Sequence, residues 1–376
     1  MKDVSAARWA LGGMVALAVA MGIGRFVYTP ILPAMTQALR LDHAMAGWIA
    51  SANFLGYLLG AFWASFLMRR ANLAMFGGLL ASAVTTGTMG LVSSATMFLV
   101  LRFLGGAASA LVLVCGSAII LDKLQEKSRS ELSALHFAGV GLGIALSAVL
   151  VTALSGQGAD WRQLWLASGA LSLMAAVALF FMLPRGETSD SSVQVAKPPS
   201  TSDSRAITAL LWGYGLFGFG YVITATFLVV QVRQTAPSVE PWVWLIVGLT
   251  ALPSVAAWTW VGAHFGLLRS YAAASALEAV GVAISVLMPT VAGGLIAAAL
   301  LGGTFVGLTA LGLRAAREHA ANPERMIAWM TAAFGLGQII GPIYAGQLAA
   351  HTGNFNAATL TAAAALMIAA ALTAVA

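Results

Sequence analysis

The stretch Trp9-Ala-Leu-Gly-Gly-Met-Val-Ala-Leu-Ala-Val-Ala-Met-Gly-Ile-Gly-Arg-Phe-Val-Tyr-Thr-Pro-Ile-Leu-Pro-Ala34 carries a single charged side chain, Arg25, in an otherwise apolar run. About 20 apolar residues in helical form cross the hydrocarbon of a bilayer, and this run is longer than that. It follows Lys2 and Arg8 as the core of a signal peptide would, with small residues at Ala18 to Ala20. It then continues through Gly22 and Phe26 to Pro30, past the length of a cleavable segment. The run is expected to remain in the chain as a first transmembrane span.

Similar runs fill the remaining sequence. After Trp9–Ala34, spans are expected at Ala44–Leu67, Ala71–Val92, Met97–Leu121, Leu132–Leu154 and Gln163–Leu183. A second set follows at Ile207–Val230, Trp242–Gly262, Tyr271–Met288, Thr290–Leu313, Met326–Ala350 and Ala357–Ala376. Composition demands lipid as the solvent. Of 376 residues, 60% are apolar and only 9% charged, where a soluble domain carries about a quarter charged.

Basic residues test the layout. Of the 19 lysines and arginines, 14 fall on alternate loops, from Lys2 and Arg8 to Arg325. Only Arg40, Arg162 and Arg233 fall on the opposite loops, and Arg25 and Arg102 lie inside spans. That bias predicts twelve spans with both termini in the cytoplasm of a bacterial inner membrane. The net charge of +6 is then explained by loops facing an anionic leaflet, and no nucleic-acid partner is expected. Cys115 is the only cysteine, so neither an intrachain disulfide nor a cysteine metal site can form.

A polar stretch rich in Ser, Thr, Asp and Pro separates the sixth run from the seventh, with Pro198-Pro199 inside it. It reads as a flexible cytoplasmic linker. The expected organisation is a six-helix bundle at 1–183, a linker at 184–205 and a second six-helix bundle at 206–376. The halves echo one another. Gly22-Ile-Gly-Arg25 parallels Gly218-Phe-Gly-Tyr221, and Leu104-Gly-Gly106 parallels Leu301-Gly-Gly303. Spans five and eleven both carry spaced glycines, Gly139, Gly141 and Gly143 against Gly335, Gly337 and Gly341. Parallel six-helix repeats are an arrangement of secondary transporters.

On these segments the chain resembles the major facilitator superfamily, and within it the YbfB/YjiJ branch. The resemblance is carried by Gly22-Ile-Gly-Arg-Phe-Val-Tyr-Thr-Pro-Ile-Leu-Pro33, Phe137-Ala-Gly-Val-Gly-Leu-Gly143, Tyr214-Gly-Leu-Phe-Gly-Phe-Gly-Tyr221 and Phe334-Gly-Leu-Gly-Gln-Ile-Ile-Gly-Pro342. It implies an all-α membrane fold of two pseudo-symmetric bundles, working by alternating access around one cavity. Two features depart from the superfamily pattern. The loop after span two lacks the usual aspartate and keeps only Arg69 and Arg70, and span five lacks the proline of the antiporter signature. Drug/proton antiport is therefore not implied.

Arg25 is the strongest single signal. An ionised side chain inside a span costs at least a few kcal/mol, about 3 on insertion scales, and should face the bundle interior or water. It is expected to hold an anion with a two-pronged contact, with Tyr28 on the same face and room left by Gly22 and Gly24. The competing reading is a tie to backbone carbonyls. Further substrate-binding candidates are Asn53 and Tyr57 (i, i+4 in span two), Tyr214, Tyr221 and Thr224 (one face of span seven), and Gln338 in span eleven. Each residue alone is more often an interhelical hydrogen bond than a ligand contact. Coupling candidates are Arg102, which matches the superfamily's span-four arginine, His136, and Glu278, a carboxyl in an apolar span that can exchange a proton near neutral pH.

The motifs of catalysis are missing. There is no metal-ligand spacing, phosphate loop or ATPase module, so no cofactor, no metal and no enzyme activity are expected. The expected function is secondary active transport of a small organic anion, coupled to protons, by a monomer in the bilayer. An exporter of hydrophobic or drug-like compounds is the alternative, and behind it a non-transporting receptor or a membrane-embedded enzyme.

Overall fold

A computed structural model of the chain describes residues 5–183 and 203–376. Among these, twelve helices are long and apolar enough to cross a membrane. They are α1 (Ala6–Leu39), α2 (His43–Phe66), α3 (Met68–Leu91), α4 (Ala95–Glu126), α5 (Ser130–Gly156) and α6 (Trp161–Met182), then α7 (Ser204–Thr235), α8 (Pro237–Phe265), α9 (Leu267–Leu287), α10 (Val291–His319), α11 (Pro323–Thr352) and α12 (Asn356–Ala374). Each expected span falls on one of them, and several helices outrun the apolar core by a turn or more. Exposed side chains are apolar in a way water would not tolerate. On α2, Phe62, Trp63 and Phe66 are 63%, 70% and 71% exposed, which is how a lipid-facing helix presents itself.

Two compact units form, Met1–Leu41 with Ala52–Val193, and Asp42–Ser51 with Gln194–Ala376. The start of α2 thus groups with the second unit, where Ser51 Oγ donates to Ile339 O at 2.7 Å. Of the expected linker 184–205, residues 184–202 lie outside the described residues. Its last residues are already helical, because Asp203 caps α7 by accepting from the backbone N–H groups of Arg205 and Ala206.

Inside the first unit, glycine lets α1 and α5 touch backbone to backbone. A Cβ on Gly22 would strike the main chain of Gly143, and one on Gly139 would strike the Met14 carbonyl. The second unit repeats the device between α7 and α11, where Gly218 meets the Phe334 carbonyl and Gly337 the Gly215 carbonyl. Lipid offers helices no hydrophobic drive to associate, so close van der Waals approach over small residues does that work. These contacts revise one expectation. The space beside Gly22 and Gly24 is filled by α5 and by Ser82 Oγ, not by the Arg25 guanidinium.

α1 is also not a continuous α-helix. It runs as α-helix over Ala6–Leu17, widens to a π-helix over Ala18–Ile23, opens as a turn through residues 24–27, and resumes over Tyr28–Leu39. A second π segment, Val112–Gly116, interrupts α4. Such bulges place irregular backbone inside a span, where the freed polar groups need partners.

Candidate functional site

The break in α1 sets the geometry of the first unit's polar cluster. Past the π-helix, the Thr29 N–H bonds to Phe26 O, three residues back, rather than to Arg25 O. Arg25 O accepts instead from Arg102 Nη2 at 3.0 Å, and Gly24 O accepts from Arg102 Nη1 at 3.2 Å. The α4 arginine therefore binds the opened turn of α1. It is 4% exposed, so it is interior and does not snorkel. Its own carbonyl accepts from Asn53 Nδ2 at 2.9 Å, which joins α2 to the cluster.

Arg25 itself is 3% exposed. Its guanidinium carbon lies 4.2 Å from the centroid of the Tyr57 ring, 4.5 Å from Phe54 and 5.6 Å from Phe26. Aromatic faces stabilise a desolvated cation by about 2 kcal/mol. They do not satisfy all of its N–H groups, although Arg25 also hydrogen-bonds the Tyr57 side chain. Nε and Nη2 of Arg25 are buried with no hydrogen-bond partner, and these two groups lie along one edge of the guanidinium, the edge that grips a carboxylate in a bidentate pair. Asn53 Oδ1 is likewise buried and unpartnered. Ion pairs among the described residues include Lys123–Glu126, Arg129–Glu131 and Arg233–Glu240, and none of these involves either buried arginine. The unit thus holds two interior cations with no interior carboxylate among its described residues.

Tyr28 departs from expectation. It sits under Arg102, whose guanidinium carbon is 5.0 Å from its ring, and against Trp165 at 6.4 Å. The broken turn between residues 25 and 28 rotates Tyr28 off the Arg25 face. His136 also stands apart. It is fully buried, with Nε2 2.9 Å from Ser117 Oγ and its ring against Gly13. Gly13 is 12 residues before Arg25 on α1, about 18 Å along a helix.

In the second unit, Tyr214, Tyr221 and Gln338 do converge. The Tyr221 ring is stacked between Phe305 (5.8 Å, 9°) and Phe334 (5.7 Å, 5°). Tyr214 and Phe217 pack on Phe334 at 5.0 and 5.4 Å. Gln338 Nε2 donates to the Tyr221 hydroxyl, while Gln338 Oε1 and Thr224 Oγ1 are buried and unpartnered. Glu278 is elsewhere, on α9 beside Thr304 of α10. Sequence reasoning missed Phe54, Phe217, Phe305 and Phe334. Phe217 was legible between Tyr214 and Tyr221 at helical spacing, and Phe334 sits in a quoted glycine motif. Phe54 and Phe305 carry no local signal among so many apolar residues.

Comparison with known proteins gives this arrangement a context. The chain is 30% identical over 165 residues to the 4-hydroxybenzoate transporter PcaK of Pseudomonas aeruginosa, covering 41% of this chain and 35% of that protein. It is 26% identical over 178 residues to the inner membrane transport protein YdhP of Escherichia coli, covering 46% of each. The matches thus span about a third to a half of these relatives. Two solved structures share the fold over nearly the full length. The nucleoside transporter NupG, in a mutant form, superposes with a TM-score of 0.78 at 13% identity, over 98% of this chain and 99% of that one. A bacterial homologue of the human lysosomal transporter Spinster does so with 0.72 at 16%, over 99% and 97%. The profile of the family described as the uncharacterised MFS-type transporter YbfB matches residues 17–374. The chain therefore belongs to that family of the major facilitator superfamily, and it is a multi-pass membrane transporter, not an enzyme.

Proposed function

We propose that the protein is a secondary active transporter of a small organic anion, working by alternating access as a proton-coupled monomer in a bacterial inner membrane, with both termini cytoplasmic. The observation that carries the anion is the open edge of Arg25. Leaving a buried cation with unsatisfied N–H groups is expensive, and a carboxylate would satisfy both at once. Arg102 holds the turn that presents Arg25, and Tyr57 and Phe54 fix the plane of the guanidinium. The aromatic stack of Tyr214, Phe217, Tyr221 and Phe334, with the free Gln338 Oε1, suits a planar ring bearing a hydroxyl donor. The partial likeness to a 4-hydroxybenzoate transporter supports an aromatic carboxylate as the class of anion.

Thermal unfolding of the purified protein with 4-hydroxybenzoate tests the reading. A ligand that binds only the folded state at 100 times its dissociation constant adds about 2.7 kcal/mol. The wild type should melt later with the ligand. Arg25→Lys should lose most of the shift, because an ammonium cannot reproduce the two-pronged contact, and Arg25→Ala should lose all of it. An undiminished shift in folded Arg25→Ala would remove the anion reading. The same aromatic stack favours a second reading, export of hydrophobic compounds, in which uncharged aromatics would shift the melting point of wild type and Arg25→Ala alike.

A further inference from the structure

Glu278 plays no part in the anion reading, yet its surroundings are specific. Among the described residues it is the one buried carboxyl, and it is fully enclosed. It lies 11 residues into α9, which begins at Leu267, about 16 Å along the helix axis and near mid-membrane. Its Oε2 is 3.1 Å from Thr304 Oγ1, and that hydroxyl is also 2.7 Å from Leu300 O. A hydroxyl has one proton. The hydroxyl can turn to either acceptor, so what places the proton is the rest of the surroundings. A carboxylate here would be fully buried with no facing cation, whereas the neutral acid can donate to the threonine oxygen while that hydroxyl donates to Leu300 O.

The acid's other oxygen, Glu278 Oε1, is buried and unpartnered, and two more buried oxygens, Ser275 Oγ and Tyr271 Oη, sit on the same helix with no partner beyond each other. Residues 271, 275 and 278 share one face of α9 at i, i+4 and i+7. Buried oxygens left unbonded are where a helix bundle admits water. The face continues to Tyr214, because a Cβ on Gly312 would meet Tyr214 Cε2 at 2.6 Å and Tyr271 Cε2 at 3.3 Å. The aromatic stack of α7 therefore abuts the Glu278 cluster.

No cation faces Glu278 among the described residues. On α9 itself Arg269 stands one residue before the buried Ser270, near the start of the helix. On α10, Arg314, Arg317, Glu318 and His319 lie in the last two turns. α7 presents Tyr214 and Tyr221, with Arg205 and Arg233 exposed near its ends, and α8 has Glu240 and His264 near its ends. α12 has no titratable side chain.

We propose that Glu278 is the proton-carrying site of this transporter, with Thr304 holding the neutral acid and Ser275 and Tyr271 lining the proton's way out. The step is a simple transfer. The Glu278 O–H bond breaks, the proton passes to a water admitted along the Ser275–Tyr271 face, and the carboxylate persists until a proton returns. The role in transport rests on the transport reading above; the proton site itself does not.

The test is infrared difference spectroscopy of the purified full-length protein across a pH titration and on transfer to heavy water, paired with uptake into proteoliposomes. The wild type should show the C=O stretch of a protonated carboxylic acid at neutral pH. The band should shift in heavy water, bleach reversibly at alkaline pH and vanish in Glu278→Gln. Thr304→Val and Ser275→Ala retain the acid and should move the band, which keeps the test open should Glu278→Gln fail to fold. No such band, or one that neither exchanges nor titrates, would overturn the proposal. With 4-hydroxybenzoate as the probe, Glu278→Gln should keep exchange across the bilayer but lose accumulation driven by a pH gradient, falling to the ratio seen without one. Retained accumulation, or accumulation driven by sodium with no acid band, would also overturn it. If the wild type does not carry the probe, the aromatic-carboxylate reading falls, and the infrared result still decides the proton site.

Discussion

Arg102 Nη2 donates to the backbone carbonyl of Arg25 at 3.0 Å, so the two buried arginines of the first unit are joined through main chain and not through an anion. One arginine spends two donors on backbone; the other keeps an edge free. The division of labour follows from the break in α1, which offers carbonyls to one guanidinium and sets the other among aromatic rings.

Replacing Arg102 should therefore act at a distance. Arg102→Met removes both bonds to residues 24 and 25, with a cost of about 1–2 kcal/mol for interhelical bonds in a membrane. The melting temperature should fall, and binding of 4-hydroxybenzoate should weaken although Arg25 is untouched. Unchanged binding in the folded variant would mean that the turn holds its shape without the α4 clamp.

The glycine contacts are graded, and so are the expected losses. Gly143→Leu would drive a branched side chain into the Ala18 carbonyl and the Gly22 backbone, and folded protein should not be recovered. At Gly303 an added Cβ meets nothing within 4 Å, so Gly303→Ala should leave yield and melting temperature within about 0.5 kcal/mol of the wild type. Detergent-solubilised yield by size-exclusion chromatography and a melting curve measure both.

Tyr221 and Gln338 predict a coupled pair. Tyr221→Phe keeps the stack on Phe305 and Phe334 but removes the acceptor of the Gln338 amide, leaving both ends of that buried side chain unpaired. The loss should be about 1–3 kcal/mol. Adding Gln338→Met should recover part of it, because the orphaned amide is gone. A double-mutant cycle on melting free energies gives the coupling, and strict additivity would mean the bond contributes nothing.

How much of this was legible in the sequence differs by scale. The twelve spans could be read because hydrocarbon thickness and the cost of buried charge leave few alternatives. Arg25 and Arg102 stood out for the same reason. What could not be read was which side chains meet. Tyr28 looked like a neighbour of Arg25 on the assumption of an unbroken helix, and the turn through residues 24–27 sets it under Arg102 instead. Gly22 and Gly24 marked the spot but suggested space, whereas α5 and Ser82 occupy it. In an apolar chain a phenylalanine carries no positional information, so Phe54 and Phe305 emerge only from tertiary packing.

Topology gives the last prediction. The alternation of basic loops predicts the turn between α5 and α6 outside the cell and the turn between α4 and α5 inside. Gln157 is exposed in the first, and Gln125 is exposed in the last turn of α4, which leads into the second. A membrane-impermeant thiol reagent on intact cells should modify Gln157→Cys and spare Gln125→Cys until the membrane is permeabilised. The background is low, because the one native thiol, Cys115, is fully buried. Gln157 suits the test better than its neighbour Gly158, whose φ of 86° would strain any added side chain. The reverse labelling pattern would invert the orientation of every span at once, since antiparallel neighbours joined by short turns cannot be flipped singly. It would place the charge-rich loops outside, against the electrostatic bias that fixes insertion, and the direction of any proton or anion gradient acting on Arg25 would have to be reassigned with it.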